Sequence, residues 1–378
     1  MSRIAKNSVR IIGAVLGVAA LVLLFSGCDD EDGEEKVAQG YALAIGLNSV
    51  NPAHYGGWSG QLYGCEPDAK DMRKIAADQG FTSTTLLTAQ ASRQAVLDKL
   101  ADLAETLKSG DLLVVSYSGH GGQVPDFNGD EADGLDETWC LYDGQLIDDE
   151  VYGAWMKFKE GVRILVFCDS CHSGTAIKAK KSDFENPSPE RRAELQKRSL
   201  DLRVPTRLDR RAIIDSQAFR KALEQRDDLR TRFERLPRSP DAPDETAPRV
   251  PAPVEAEELF LCRAMPYDMM WGTYQQNKAQ YKDWGEAAPK EGDDVMAAVI
   301  LIAGCEDPQF SADLGHHGLF TWELLQVWDN GNFMGDHEKF RDEIKNLVVQ
   351  ENPDQEPFFF TVGHATAAFV QQRPYTIQ

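Results

Sequence analysis

The sequence predicts an α/β fold built on a mostly parallel central sheet, and three observations carry that reading. Short, near-continuous apolar runs alternate with segments of helical period; the runs read as strands buried on both faces; and 378 residues, 42% of them apolar and 27% charged, suffice for one large core with insertions. Residues 41–47 (YALAIGL) form a first strand, and residues 68–79 are helical, closed by Gly80. Residues 82–87 are strand-like and β-branched. Ser92 then caps a helix whose Val96, Leu97, Leu100, Leu103, Ala104 and Leu107 recur at helical spacing. Residues 112–116 (LLVVS) read as a buried strand, 148–159 as a helix and 163–168 (RILVFC) as another buried strand. A strand at 295–303, a helix at 319–328 and a last strand at 358–362 (FFFTV) follow nearer the C-terminus. In such sheets, ligands bind beyond the carboxyl ends of the strands.

The first residues stand apart from the fold. Residues 1–10 carry Arg3, Lys6 and Arg10 without an acid, and 11–25 are uncharged and apolar, ending in Ser26-Gly27-Cys28. Fifteen apolar residues fall short of the roughly 20 that span a bilayer. The segment resembles a bacterial lipoprotein signal, which implies export and a lipid on Cys28, holding the chain to a membrane on the periplasmic or cell-surface side. Acids at 29–35 read as a solvated tether. A net charge of −21 repels phosphate backbones and excludes nucleic acid as the main partner, and seven Cys are too few for a disulfide-held scaffold. Residues 178–238 reverse the charge, with 18 Lys/Arg against 11 Asp/Glu, and six Pro crowd into 236–254. That composition reads as an exposed insertion.

Two strand ends carry the chemistry. LLVVS runs into Tyr117-Ser118-Gly119-His120-Gly121-Gly122, and RILVFC runs into Asp169-Ser170-Cys171-His172-Ser173-Gly174. A Cys thiolate is a strong nucleophile, His moves protons near neutral pH, and Gly neighbours let backbone N–H groups approach a reacting carbonyl. Cys168-Asp-Ser-Cys171-His172 also matches a haem-attachment pattern, but Cys168 closes a buried strand, which haem c modules do not offer. His172, Cys140 and Cys168 are expected to pack, and His316-His317 to lie on the surface.

The paired motifs, 51 residues apart, resemble the His and Cys motifs of metacaspases, the caspase-fold cysteine peptidases of bacteria, fungi, protists and plants. Gly64-Cys65-Glu66-Pro67-Asp68 is similar to the family's upstream motif, and 298–327 to its small-subunit region. The resemblance implies a caspase-like three-layer sandwich divided as 1–28 signal, 29–38 tether, 39–177 large-subunit-like, 178–294 processing linker and 295–378 small-subunit-like. It implies that Cys171 attacks a peptide carbonyl, that His120 protonates the leaving amine, and that the amides of Gly121 and Cys171 hold the oxyanion. Cys65, Asp68, Ser118 and Asp169 match the pocket for Arg or Lys before the cleaved bond in a peptide or protein substrate. Self-cleavage is expected between 178 and 249, at Arg191-Arg192, Arg198, Arg210-Arg211 or Arg238. A monomer is expected.

No cofactor is required by this chemistry. Calcium is the one ion the acids suggest: the resemblance places Asp136, Asp148 and Asp149 as its ligands, while Lys178 stands where a further Asp is usual. Asp130 or Asp133 could substitute. The loop at 126–137 has oxygen ligands at EF-hand positions but lacks the Gly and follows a strand. A second class, an exported binding protein with this fold but no activity, is opposed by the intact Cys171, His120, Asp68 and Asp169.

Overall fold

The computed structural model describes residues 37–171, 179–203, 261–290, 294–306 and 309–377. Strand β1 (Gly40–Gly46) leads into α1 (Cys65–Asp78), β2 (Thr82–Leu87), α2 (Arg93–Thr106) and β3 (Leu112–Ser118). Three short strands follow, β4 (Gly121–Pro125), β5 (Leu135–Leu141) and β6 (Gly144–Ile147), then α3 (Asp148–Trp155) and β7 (Arg163–Asp169). The rest comprises α4 (Lys181–Glu185), α5 (Pro189–Arg203), β8 (Leu261–Cys262), α6 (Tyr267–Ala287), β9 (Ala298–Ala303), β10 (Ala312–Asp313), α7 (Leu319–Trp328), α8 (His337–Glu351), β11 (Phe358–Gly363) and α9 (Ala367–Val370).

The central sheet has the order β11-β9-β7-β3-β1-β2. All neighbours in it are parallel except β11, which pairs antiparallel on the β9 edge. Alternation along each strand divides the core in two. Ala42, Val114, Leu165, Phe167, Ile300 and Ile302 face α1, α7 and α8, while Leu43, Ile45, Val115, Ile164, Val166 and Val299 face α2 and α3. The result is three layers with a largely parallel sheet in the middle, as the sequence predicts.

Local chemistry explains the element ends. Ser92 Oγ accepts from Ala95 N at 3.1 Å and starts α2, and Asp336 Oδ1 accepts from Lys339 N at 2.8 Å and starts α8. Helix α1 begins at Cys65, earlier than the predicted 68, because Pro67 falls in the first turn, where its missing N–H sacrifices no helical bond. Part of the stretch expected as linker is folded. Helix α6 buries Tyr267, Met270, Tyr274 and Tyr281 against Val124, Leu135, Cys140 and Ile147 of the small antiparallel sheet and Phe184 of α4. Its apolar stripe is diluted by Gln, Asn and Lys, and the surrounding basic and Pro-rich composition masked it.

Candidate active site

Strands β3 and β7 end side by side, with Ser118 paired to Asp169 in the sheet register. Both motifs therefore leave the sheet at one place. Beyond β3, the Tyr117 hydroxyl donates to the His120 carbonyl at 2.7 Å, and His120 Nε2 lies 3.0 Å from the Gly60 carbonyl, with the Trp58 ring 4.7 Å away. That contact puts the proton on Nε2 and assigns proton exchange to Nδ1. Gly121 packs directly on Cys171: a Cβ there would come within 1.6 Å of the Cys171 carbonyl oxygen. Glycine is required for that close approach.

The segment around Arg263 runs through this junction. Its carbonyl oxygen accepts from Gly121 N at 2.9 Å and from Cys171 N at 3.2 Å. Two converging amides around one carbonyl are the geometry that stabilises a developing oxyanion. The Arg263 side chain is fully buried and meets three carboxylates: Asp68 Oδ2 at 2.8 Å, Asp169 Oδ2 at 3.0 Å and Asp313 Oδ2 at 3.4 Å. Nη1 also donates to Ser118 Oγ at 2.8 Å. A buried guanidinium without such partners would cost several kcal/mol. Gly318 and Gly64 form close walls, since a Cβ on Gly318 would lie 2.4 Å from Arg263 Nη1 and one on Gly64 2.9 Å from Nη2.

The acids are held from behind. Ser118 Oγ donates to Asp68 Oδ2 at 2.7 Å, His317 Nδ1 bonds Asp68 Oδ1 at 2.7 Å, and Ser311 Oγ and Thr321 Oγ1 donate to the two oxygens of Asp169 at 2.6 and 2.7 Å. Burial works against the Asp68 carboxylate, but the Arg263 guanidinium and the His317 and Ser118 bonds outweigh it and hold its pKa below the usual range. At Asp169 burial wins over the same guanidinium, and the pKa is raised. Burial also pushes the Cys171 thiol well up, helped by Cys262 and Cys305. Ser311 N donates to Cys171 Sγ at 2.8 Å.

The expected residues Cys65, Asp68, Ser118, His120, Gly121, Asp169 and Cys171 thus lie buried where β3 and β7 end and Arg263 passes, with Cys65 at the start of α1. Sequence reasoning missed Arg263, Asp313, Ser311 and His317. His316 and His317 are buried rather than on the surface, because the turn carrying them packs beneath Asp68. Cys140 and Cys168 pack in the interior, and all cysteines among the described residues are free thiols. Cys28, His172 and Lys178 lie outside the described residues.

Among the acids expected for calcium, Asp149 is the strongest charged neighbour of Asp136, and Asp149 N donates to Asp148 Oδ1 at 3.0 Å. Asp136 stands with Asp126 and Asp130, Asp148 stands with Glu131 and Glu137, and Asp149 accepts from Asn128 Nδ2 at 2.6 Å. Both carboxylate oxygens of Asp136 are buried with no hydrogen-bond donor among the described residues. Burial first, then repulsion from Asp149, Asp126 and Asp130, pushes its carboxyl up to about 9. An orphaned buried carboxylate among acids fits a hard cation.

A family model described as caspase domain matches residues 39–367, and the chain belongs to that family. Metacaspase-1A of Aspergillus fumigatus is 37% identical over 152 residues, covering 36% of this chain and 35% of that protein. Metacaspase-1 of Botryotinia fuckeliana is 37% identical over 151 residues, covering 36% and 35%. The chain spans about a third of the length of these curated relatives. Among solved structures, protein GSU0716 from Geobacter sulfurreducens is similar with a TM-score of 0.63 and 38% identity, over 90% of this chain and 99% of that one.

Proposed function

We propose that the protein is a cysteine endopeptidase of metacaspase type that cleaves proteins after Arg or Lys. Cys171 is the nucleophile, His120 carries the proton to the leaving amine, and the amides of Gly121 and Cys171 receive the oxyanion. Asp68, Asp169 and Asp313 read the cation before the cleaved bond, with Ser118 and Cys65 shaping the site. One observation supports this reading most: an arginine side chain sits among three carboxylates while its own carbonyl lies on both amides. A guanidinium bridges several acids through its planar fork, whereas a Lys ammonium engages them as a point charge. Arg substrates should therefore be cut faster than Lys ones.

The chemistry needs no cofactor. Calcium suits the oxygen donors of the 126–149 loops, where Asp126, Asp130 and Asp136 would hold it with Asp148 and Asp149 nearby; bound, it would neutralise crowded negative charge beside the strand that follows His120. Export and lipid attachment at Cys28 are also part of the proposal, supported by the signal-like sequence; among the described residues no helix is long and apolar enough to cross a membrane. The silent binding protein is not favoured, since the amides of Gly121 and Cys171 both donate to one peptide carbonyl. Release of a fluorophore from an Arg-containing peptide by the wild type, and none by Cys171→Ala, is the expected result. Equal release by both proteins would refute the assignment.

A further inference from the structure

The cleft holds a stretch of the chain in the attitude of a substrate. Cys262 pairs with Ala312 and Leu261 with Asp313 in antiparallel register, and Arg263 N donates to the Ser311 carbonyl at 3.0 Å. Strand addition of this kind is how extended peptides bind along an open edge. Past the arginine, Ala264 bridges Gly121 in parallel, and Met265 N donates to the Gly121 carbonyl at 2.8 Å. The bond between Arg263 and Ala264 is thus held on both sides, with its carbonyl on the two amides and its side chain in the acid pocket.

We infer that residues 261–265 are the enzyme's built-in first substrate and that Arg263–Ala264 is its self-cleavage bond. The inference rests on the peptidase reading above. Cys171 Sγ bonds to the Arg263 carbonyl carbon, the C–N bond to Ala264 breaks, and the thiol proton passes through His120 to the Ala264 amine. Water then splits the thioester, leaving the Arg263 carboxylate and restoring the thiol, so no other reactant is needed. Arg263 fills the pocket completely, and no outside arginine can enter before it withdraws. The sites expected from composition are less suited. Arg191, Arg192 and Arg198 lie on α5, where Arg191 pairs with Asp183 at 2.9 Å and Arg192 stacks 3.6 Å above Trp271, whereas cleavage needs an extended chain. Arg210, Arg211 and Arg238 lie outside the described residues.

The test uses the full chain in mild detergent, followed by intact mass and N-terminal sequencing, with hydrolysis of an Arg peptide read in the same tube. A new N-terminus Ala264-Met265-Pro266 should appear with a first-order rate independent of protein concentration, and peptide hydrolysis should accelerate as it does. Cys171→Ala should stay intact. Arg263→Lys keeps the pocket charge and, once shown to melt cooperatively, should be cut at the same bond several-fold more slowly. Full peptide hydrolysis from time zero with Arg263–Ala264 intact, or new N-termini only elsewhere, would overturn the inference and leave the peptidase reading standing. Absence of both activities would overturn both.

Discussion

His317 Nδ1 lies 2.7 Å from Asp68 Oδ1, and both side chains are buried, so the acid that meets Arg263 is aimed by an imidazole on the far side of the chain. His317 touches Asp68 rather than the guanidinium, so in the proposed mechanism it is a positioning residue. His317→Phe should weaken cleavage after Arg by about tenfold, carried by KM with kcat nearly unchanged, as expected for losing one charge-assisted hydrogen bond. Steady-state kinetics check the split; an equal loss in kcat would contradict it.

Gly318 offers a second test. Its backbone is extended and tolerates any residue, but a Cβ would lie 2.2 Å from Asp169 Oδ2 and 2.4 Å from the guanidinium. Gly318→Ala should abolish cleavage after Arg while the protein still melts cooperatively. Unchanged kcat/KM would show that the pocket is not where the substrate cation sits.

Calcium binding is read through stability. Calcium at millimolar concentration should raise the Tm of the wild type and not that of Asp136→Asn, because a ligand that binds only the folded state stabilises it by mass action. Equal shifts in both proteins would place the ion elsewhere.

A pH dependence follows from Glu323 on α7, buried and pushed to about 7 by desolvation first and by Glu351 second. The folded chain holds this proton more tightly than the unfolded chain does, so stability is full below about 4.5 and falls as pH rises to about 7, then levels. The loss is on the order of 3 kcal/mol at most. Glu323→Gln should remove it, raising Tm at pH 8 while leaving pH 5 almost unchanged; melting curves at the two pH values decide.

The sheet and the paired His and Cys motifs were legible because their signals are local. Apolar runs mark β1, β3, β7 and β9, and His120, between two glycines, and Cys171 follow two of them directly. Arg263 was not legible, since its partner Asp68 is 195 positions away and no local pattern pairs the two. One signal was available: Leu259-Phe260-Leu261-Cys262 is an apolar run emerging from the Pro-rich stretch, and Arg263 ends it. The acidic loop was legible as acidic, but composition cannot say which carboxylates turn inward: Asp126, Asp136 and Asp149 are buried, and Asp136 faces Asp126 and Asp130 as well as Asp149.

The most direct measurement compares kcat/KM for four peptides identical but for the residue before the cleaved bond: Arg, Lys, citrulline and Asp. Citrulline keeps the shape of Arg and removes its charge. Three facing carboxylates should make Arg the best substrate, with Lys slower and citrulline and Asp at least a hundredfold worse, a difference of about 2.7 kcal/mol. Citrulline cleaved as fast as Arg would contradict the claim that Asp68, Asp169 and Asp313 read a cation.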